Sequence, residues 1–467
     1  EMENVQSKEN QIISGVIWKQ LLIFFFPIVL GTFFQQIYNT ADAVVVGRFV
    51  GTEALAAVGG STSQIINLIV GFFVGLSSGA TVVISQYYGA REKQGLQNAL
   101  HTAFAFSVVG SVVISVIGIW LSPMMLRWMN TTEEVIAPST TYLRIYFAGI
   151  IFVFIYNVGS SILRAVGDSR RPLYYLIVCC FINILLDVVL VVFFHMGVAG
   201  AAIATVFAQG VSAVLVVLAL CRSKDIFRLE LKQVRFHRDA LELLLKIGLP
   251  AGLQSVMYSA SNIIIQTSLN SFGTNTMAAW TAYGKIDSFF WMVISAFGIS
   301  ITTFVGQNYG ARKFGRMRKS VRICIGMAMG ASVVISAVFL IFGKYVYQMF
   351  TTDATVIEIG MHMMTLMAPA YAVYVFIEVY SGALRGTGDV LVPMLMTCGG
   401  VCVLRVLWVW FIVPLKPVID TILYSYPISW TLTALLFIFY AHQCGNSFPY
   451  HIYDVELQQP SNNSKIR

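Results

Sequence analysis

The chain has 467 residues, of which 57% are hydrophobic and only 11% charged, and its mean hydropathy is +0.75. A soluble domain carries about 25% charged residues, so a water-soluble globule is excluded and an all-α polytopic membrane protein is expected. The net charge of +8 does not imply nucleic acid, because the basic residues alternate between loops instead of forming one stripe.

Twelve apolar segments reach the length needed to cross a bilayer, about 20 residues each, at roughly 20–46, 54–86, 97–121, 140–163, 173–194, 199–221, 243–271, 277–305, 321–343, 356–384, 391–414 and 419–441. They are continuous rather than alternating, so a closed barrel is not expected. Loops with Arg91 and Lys93, with Arg164, Arg170 and Arg171, with Arg222 through Lys246, with Arg312 through Arg322, and with Arg385 are rich in cations. The loops between them hold only Arg48, Arg127, Lys285, Lys344 and Lys416. By the positive-inside rule both ends face the cytoplasm, with residues 1–16 and 443–467 as tails. No cleavable leader is expected, because the apolar run after Gln20 is too long for one.

The first span carries FFQQIYNTADAVVVGR, Phe33 to Arg48, with Tyr38, Asn39 and the single carboxylate Asp42. An acid at the centre of a membrane helix costs about 2.5–3.5 kcal/mol, so such residues face cavities and carry function. Pro27 precedes Asp42 in the same helix and, lacking an N–H, permits a bend. The fourth span offers Asn157, the fifth Asn183 and Asp187, the sixth Thr205 and Gln209. Asn183 and Asp187 are four apart and share a helix face. A carboxylate with an amide one turn away suits a proton or a hard cation such as Na⁺.

An internal repeat organises the chain. SQYYGAREKQ from Ser85 falls on GQNYGARKFG from Gly306, and ILRAVGDSRRP from Ile162 falls on ALRGTGDVLVP from Ala383, both at an offset of 221 residues. VGTEALAAV from Val50 matches FGTNTMAAW from Phe272. The chain therefore divides into a first lobe at 17–221, a cytoplasmic linker at 222–242 and a second lobe at 243–442. With an even number of helices each, the lobes share one orientation, a parallel repeat with the substrate path between them near the midplane.

The halves differ in chemistry. Asp42 maps to Ile264 or Ile265, Asp187 to Trp408 and Asn157 to Glu378. The second half offers Glu378, Arg405, Tyr371, Tyr374 and Trp408 as a substrate cavity, aromatic faces with a carboxylate suiting an organic cation. Alternatively Glu378 and Arg405 form a structural ion pair, as buried charges usually do. Trp280 and Tyr283 read as interface aromatics, and Lys285 with Asp287 as a helix-start pair. Arg164 with Asp168, and Arg385 with Asp389, read as latches between helix ends at the cytoplasmic side. Cys398 and Cys402 lack metal-ligand company and read as small buried residues. No phosphate loop, nucleophile elbow or HExxH is present, so an enzyme is not expected.

The Asp42 segment with its GTEALAAV, the Gln-x-x-Gly-Ala-Arg loops at Gln86 and Gln307, and the Leu-Arg-x-x-Gly-Asp loops together resemble the bacterial MATE (multidrug and toxic compound extrusion) transporters, most nearly the branch of the DNA-damage-inducible members. The resemblance covers roughly Trp18 to His442. It implies a V-shaped pair of six-helix lobes and a monomer in the bacterial plasma membrane, without a cofactor. It further implies export of amphipathic or cationic drugs by alternating access, coupled to H⁺ or Na⁺. Carried over by motif, the coupling site comprises Asp42, Asn157, Asn183, Asp187, Thr205 and Tyr38, with Na⁺ held by Asp42, Asn183, Asp187 and Thr205, and Pro27 as hinge. Glu378 matches an acidic position of another branch, whose seventh-helix acid has no counterpart here. The alternative is a lipid-linked saccharide flippase of the same superfamily, which usually has fourteen helices and a cationic cavity.

Overall fold

The computed structural model describes residues 10–447, and among them every regular element is helical. The outer parts of the two expected tails, 1–9 and 448–467, lie outside the described residues. The first lobe is built from α1 (Ile17–Phe49), α2 (Thr52–Ala90), α3 (Lys93–Trp128), α4 (Glu133–Ala148 with Ile150–Ala165), α5 (Arg170–Phe193) and α6 (Gly197–Cys221). The second holds α7 (Arg238–Asn270), α8 (Thr274–Gly310), α9 (Phe314–Gln348), α10 (Ala354–Gly386), α11 (Leu391–Leu415) and α12 (Ile419–Ser447). The helices outrun the apolar segments because their ends continue into polar turns. α7 begins at Arg238, ahead of the expected lobe boundary at 243, with Asp239 in its first turn, where a carboxylate complements the helix dipole.

The repeat is visible in the backbone. Arg91 and Arg312 stop α2 and α8 with φ of 56° and 57°, and Gly167 and Gly388 turn the chain after α4 and α10 with φ of 93° and 95°. α4 is bent by 50° between Ala148 and Ile150, and its mate α10 carries a tight turn at Ala368–Ala370, around Pro369. α5 ends in a widened turn at Val188–Phe193 and α11 in one at Trp408–Ile412. At Gly388 an alanine is expected to cost at least about 1 kcal/mol, because its Cβ disfavours that φ. In detergent, Gly388→Ala should lower the thermal midpoint by roughly 1–2 °C. Gly399→Ala should not, since a Cβ there meets nothing within 4 Å.

The lobes meet through small residues. Along α2 and α7, a Cβ on Gly75 would lie 2.7 Å from the Ala251 carbonyl, one on Gly79 2.5 Å from that of Leu244, and one on Gly248 2.2 Å from that of Leu76. Such close backbone approach is the membrane substitute for hydrophobic association. Across the other side, Phe25 of α1 stacks on Phe297 of α8 at 4.1 Å. At the basic-loop end, Gly89 presses on Gln307 and Gly310 on Gln86. There Gln86 donates to the Gly386 carbonyl at 2.9 Å, and its repeat mate Gln307 donates to the Ala165 carbonyl at 2.7 Å. Each glutamine thus reaches from one lobe to the C-terminal end of a helix of the other, α10 or its repeat mate α4. These glycine contacts run from Gly71 to the end of α2, so they join the lobes over the half of α2 nearer the basic loops.

Two further segments fasten this end. The turn Gln11–Ser14 lies against α8 and α9: Ile12 O accepts from Arg316, Ile13 O from Lys313 at 2.7 Å, and Asn10 donates to Gln307 Oε1 at 2.8 Å. Ile12 also touches Gly167 of the first lobe. The linker is pinned to the first lobe, with Tyr88 and Arg91 on Asp225 and the backbone N–H of Glu230 donating to His101 Nε2 at 3.1 Å.

Candidate functional site

The first lobe gathers its polar residues into one buried cluster. Asn183 Nδ2 of α5 donates to Asp42 Oδ1 at 2.6 Å. The Thr205 hydroxyl of α6 lies 3.1 Å from Asp42 Oδ2 and 3.0 Å from its own helix's Ala201 carbonyl, so its one proton serves either. Gln209 Nε2, one turn along α6, donates to the Tyr38 hydroxyl at 3.1 Å. Asp187 lies beside Asp42, within electrostatic reach. Asp42 is seven residues from the end of α1 at Phe49, about 10 Å at 1.5 Å per residue. The cluster therefore sits toward the end opposite the basic loops, rather than at the midplane.

Acceptors outnumber donors in this cluster. Both Asp187 carboxylate oxygens, Asn183 Oδ1 and Gln209 Oε1 are buried without a hydrogen-bond partner. A buried acceptor left unpaired costs about 1–3 kcal/mol, and two neighbouring carboxylates repel. A proton shared by the carboxyl groups would supply a missing donor, and a small hard cation would be met by oxygens alone. The donor set therefore fits either ion.

Asn157 and Pro27 stand apart from the cluster's bonds. Asn157 Nδ2 donates back to Val153 O of α4 at 2.8 Å instead of turning to Asp42. Pro27 lies within an unbroken α1, and the nearby Phe24 carbonyl is tied to the Ser169 hydroxyl at 2.9 Å. Tyr142 of α4 lies beside Thr205 and Asp42. Nothing in the sequence singles it out, because Ser139, Tyr142 and Tyr146 share one face of α4 as any packing stripe does.

The second lobe holds a cavity of about 480 Å³ with aromatic walls, Trp280, Tyr426, Trp291 and Tyr374 among them. Its acid is Asp287. Trp291 Nε1 donates to Asp287 Oδ2 at 2.6 Å, Tyr283 donates to Oδ1 at 3.3 Å, and Tyr371 donates to the same oxygen. The helix-start reading fails because Lys285 turns away, 5.7 Å over the Phe350 ring. Trp280 and Tyr283 are cavity residues, not interface aromatics. The missed signal was the spacing Tyr283, Asp287, Trp291, which stacks three side chains on one face of α8.

Glu378 and Arg405 do not pair. Glu378 Oε2 accepts from Tyr374 at 3.5 Å, and its other oxygen packs against Gly298. Arg405 lines the cavity, donates to Ser429 at 3.2 Å and lies 3.9 Å over the Tyr426 ring. Trp408 is turned out of this cavity and donates to the Thr421 carbonyl at 2.7 Å. The expected latches also take other partners. Asp168 pairs with Arg171 at 3.2 Å and accepts from the N–H groups of Arg170 and Arg171, capping α5. Asp389 accepts from Tyr440 of α12 at 2.6 Å. Arg164 and Arg385 make no ion pair with them, because Asp168 turns onto the start of α5 and Asp389 onto α12 instead.

The MatE family pattern matches residues 27–189 and 250–411. A probable multidrug resistance protein, YoeA of Bacillus subtilis, is 29% identical over 82% of this chain and 84% of its own length. The multidrug export protein MepA of Staphylococcus aureus is 22% identical over 80% of this chain and 82% of its own. Among solved structures, a MOP superfamily transporter from Pyrococcus furiosus superposes with a TM-score of 0.88 at 22% identity, covering 94% of this chain and 98% of that one. An outward-facing multidrug resistance MATE transporter superposes at 0.87 with the same identity and coverage.

Proposed function

Because the chain belongs to the MatE family, we propose that it is a multidrug efflux transporter that exchanges H⁺ or Na⁺ for amphipathic or cationic compounds. The observation that carries the coupling half of this reading is the set of unpartnered acceptor oxygens around Asp42. Tyr38, Asp42, Asn183, Asp187 and Thr205 form the coupling site, with Asn157 at its edge on α4. The chain divides into lobes at 17–221 and 243–442 with the linker between them, and works as a monomer with the basic loops and both termini in the cytoplasm. The side joined by Gln86 and Gln307 then faces inward.

An ion entering from outside satisfies the orphaned oxygens and draws α1, α5 and α6 together. Pro27, with no N–H to hold α1 straight, is where that helix yields. A charge moving through 100 mV supplies about 2.3 kcal/mol, comparable with about two ordinary hydrogen bonds. That is the scale of the Gln86 and Gln307 brackets, which must part for the cytoplasmic side to open. The second-lobe cavity offers the substrate aromatic walls and one carboxylate, Asp287.

The test is ethidium efflux from proteoliposomes with H⁺ and Na⁺ gradients imposed separately. One of the two gradients should accelerate efflux and its collapse should stop it. Efflux indifferent to both gradients overturns the coupling, and translocation of lipid headgroups without ethidium movement would point to the flippase alternative.

A further inference from the structure

We infer that the second-lobe cavity recognises amphoteric molecules, with Arg405 as a receptor for the substrate's carboxylate and Asp287 for its cationic end. This rests on the export reading and narrows its substrate class. Arg405 is 3% exposed, and its Nε has no partner. Its contacts are the neutral Ser429 hydroxyl and the faces of Tyr426 and Trp430, at 3.9 and 6.0 Å. A buried guanidinium without a carboxylate is costly to keep, and its planar fork is shaped to hold a carboxylate by two bonds.

Local backbone explains how Arg405 reaches the cavity. It sits on the short stretch Leu404–Leu407, between the widened turns Cys398–Val403 and Trp408–Ile412. In α5 the segment equivalent to the first of these is ordinary helix, within Arg170–Asp187, and the repeat mate of Arg405 is Ile184. Widened turns of this kind often mark functional sites, and here one places a cation where the first lobe has an apolar residue. Asp287 in the same cavity holds the opposite charge and is not paired with Arg405. Glu378, the remaining acid nearby, is engaged by Tyr374. A cavity of about 480 Å³ admits a drug-sized solute whose aromatic body lies among the rings and whose two charges reach the two ends.

The probe pair is rhodamine B, which carries a carboxylate beside its delocalised cation, and its ethyl ester, which keeps only the cation. With the full-length protein in detergent, fluorescence anisotropy should show rhodamine B binding at least about tenfold more tightly than the ester, as a charge-assisted bond to Arg405 requires. Arg405→Gln should bring the two dyes to equal affinity, and Arg405→Lys should restore part of the difference. The inference is overturned if the ester binds the wild-type protein as tightly as the free acid, if neither dye binds, or if Arg405→Gln weakens both dyes alike. Displacement of rhodamine B by dihexanoylphosphatidylcholine at equal potency would assign the site to lipid headgroups and overturn the solute class. The wild-type comparison needs no variant, so it decides even if Arg405→Gln fails to fold. Gradient-driven ethidium efflux with no preference for rhodamine B removes this inference alone, whereas absence of gradient-driven ethidium efflux removes the export reading.

Discussion

Asp42→Asn should reduce gradient-driven ethidium efflux to the rate of protein-free liposomes while the protein still folds. The substitution keeps an oxygen that accepts from Asn183, now at 2.6 Å from Asp42 Oδ1. It replaces Oδ2 with an amide, and Thr205 can then give its proton wholly to Ala201 O, already 3.0 Å away. The fold thus loses little. The site loses one of its two carboxylates, and the new amide donor can satisfy an oxygen that otherwise waits for the ion. The cluster then rests occupied by the protein's own N–H, and neither gradient can do work on it. Efflux assays paired with gel filtration and thermal unfolding check both halves. Wild-type efflux from a folded Asp42→Asn protein would remove Asp42 from the coupling mechanism.

Gly89→Ala and Gly310→Ala should each pry the lobes apart at the basic-loop end and stop efflux. The new Cβ atoms would lie 2.0 Å from the Gln307 carbonyl oxygen and 1.9 Å from that of Gln86. Both obstacles are backbone atoms within helices, so relief requires moving α2 against α8 by more than about 1 Å, and interiors this closely packed do not absorb such a shift. Separation also stretches the glutamine bonds to Gly386 and Ala165. Ser85 is fully buried at this crossing, and its hydroxyl touches the space beside Gly306. Ser85→Cys should accordingly resist maleimide, and adding Gly89→Ala should raise its labelling about tenfold or more, since burial is what protects an interface cysteine. Unchanged labelling, with efflux intact, would show that the two helices slide freely past the added methyl groups.

Much of the architecture could be read from the chain because hydropathy reports spans and the repeat reports their pairing. The grouping of Asp42 with Asn183, Asp187 and Thr205 was legible for the same reason: few polar residues interrupt those spans, and i, i+4 spacing orients them. Asn157 was harder. An amide on a membrane helix can satisfy itself on the carbonyl four residues back, and that choice leaves no trace in sequence. Asp287 was hidden by its neighbour Lys285, which suggests a helix-start pair; that Tyr371 of α10 reaches the acid depends on how two separate helices pack. The crossing of Gly89 with Gln307 depends on the relative register of two helices more than two hundred residues apart, which no local pattern encodes.

What the two halves have kept in common is mechanical: the reversed arginines Arg91 and Arg312, the turns at Gly167 and Gly388, the interrupted α4 and α10, and the reciprocal glutamines. What they have let go is chemical: acid against isoleucine at position 42, amide against acid at 157, and acid against tryptophan at 187. The repeat thus keeps one frame and carries two different sets of polar side chains. The crossing glycines Gly89 and Gly310 and the glutamine bonds that join the lobes are therefore not among the positions at which the halves differ.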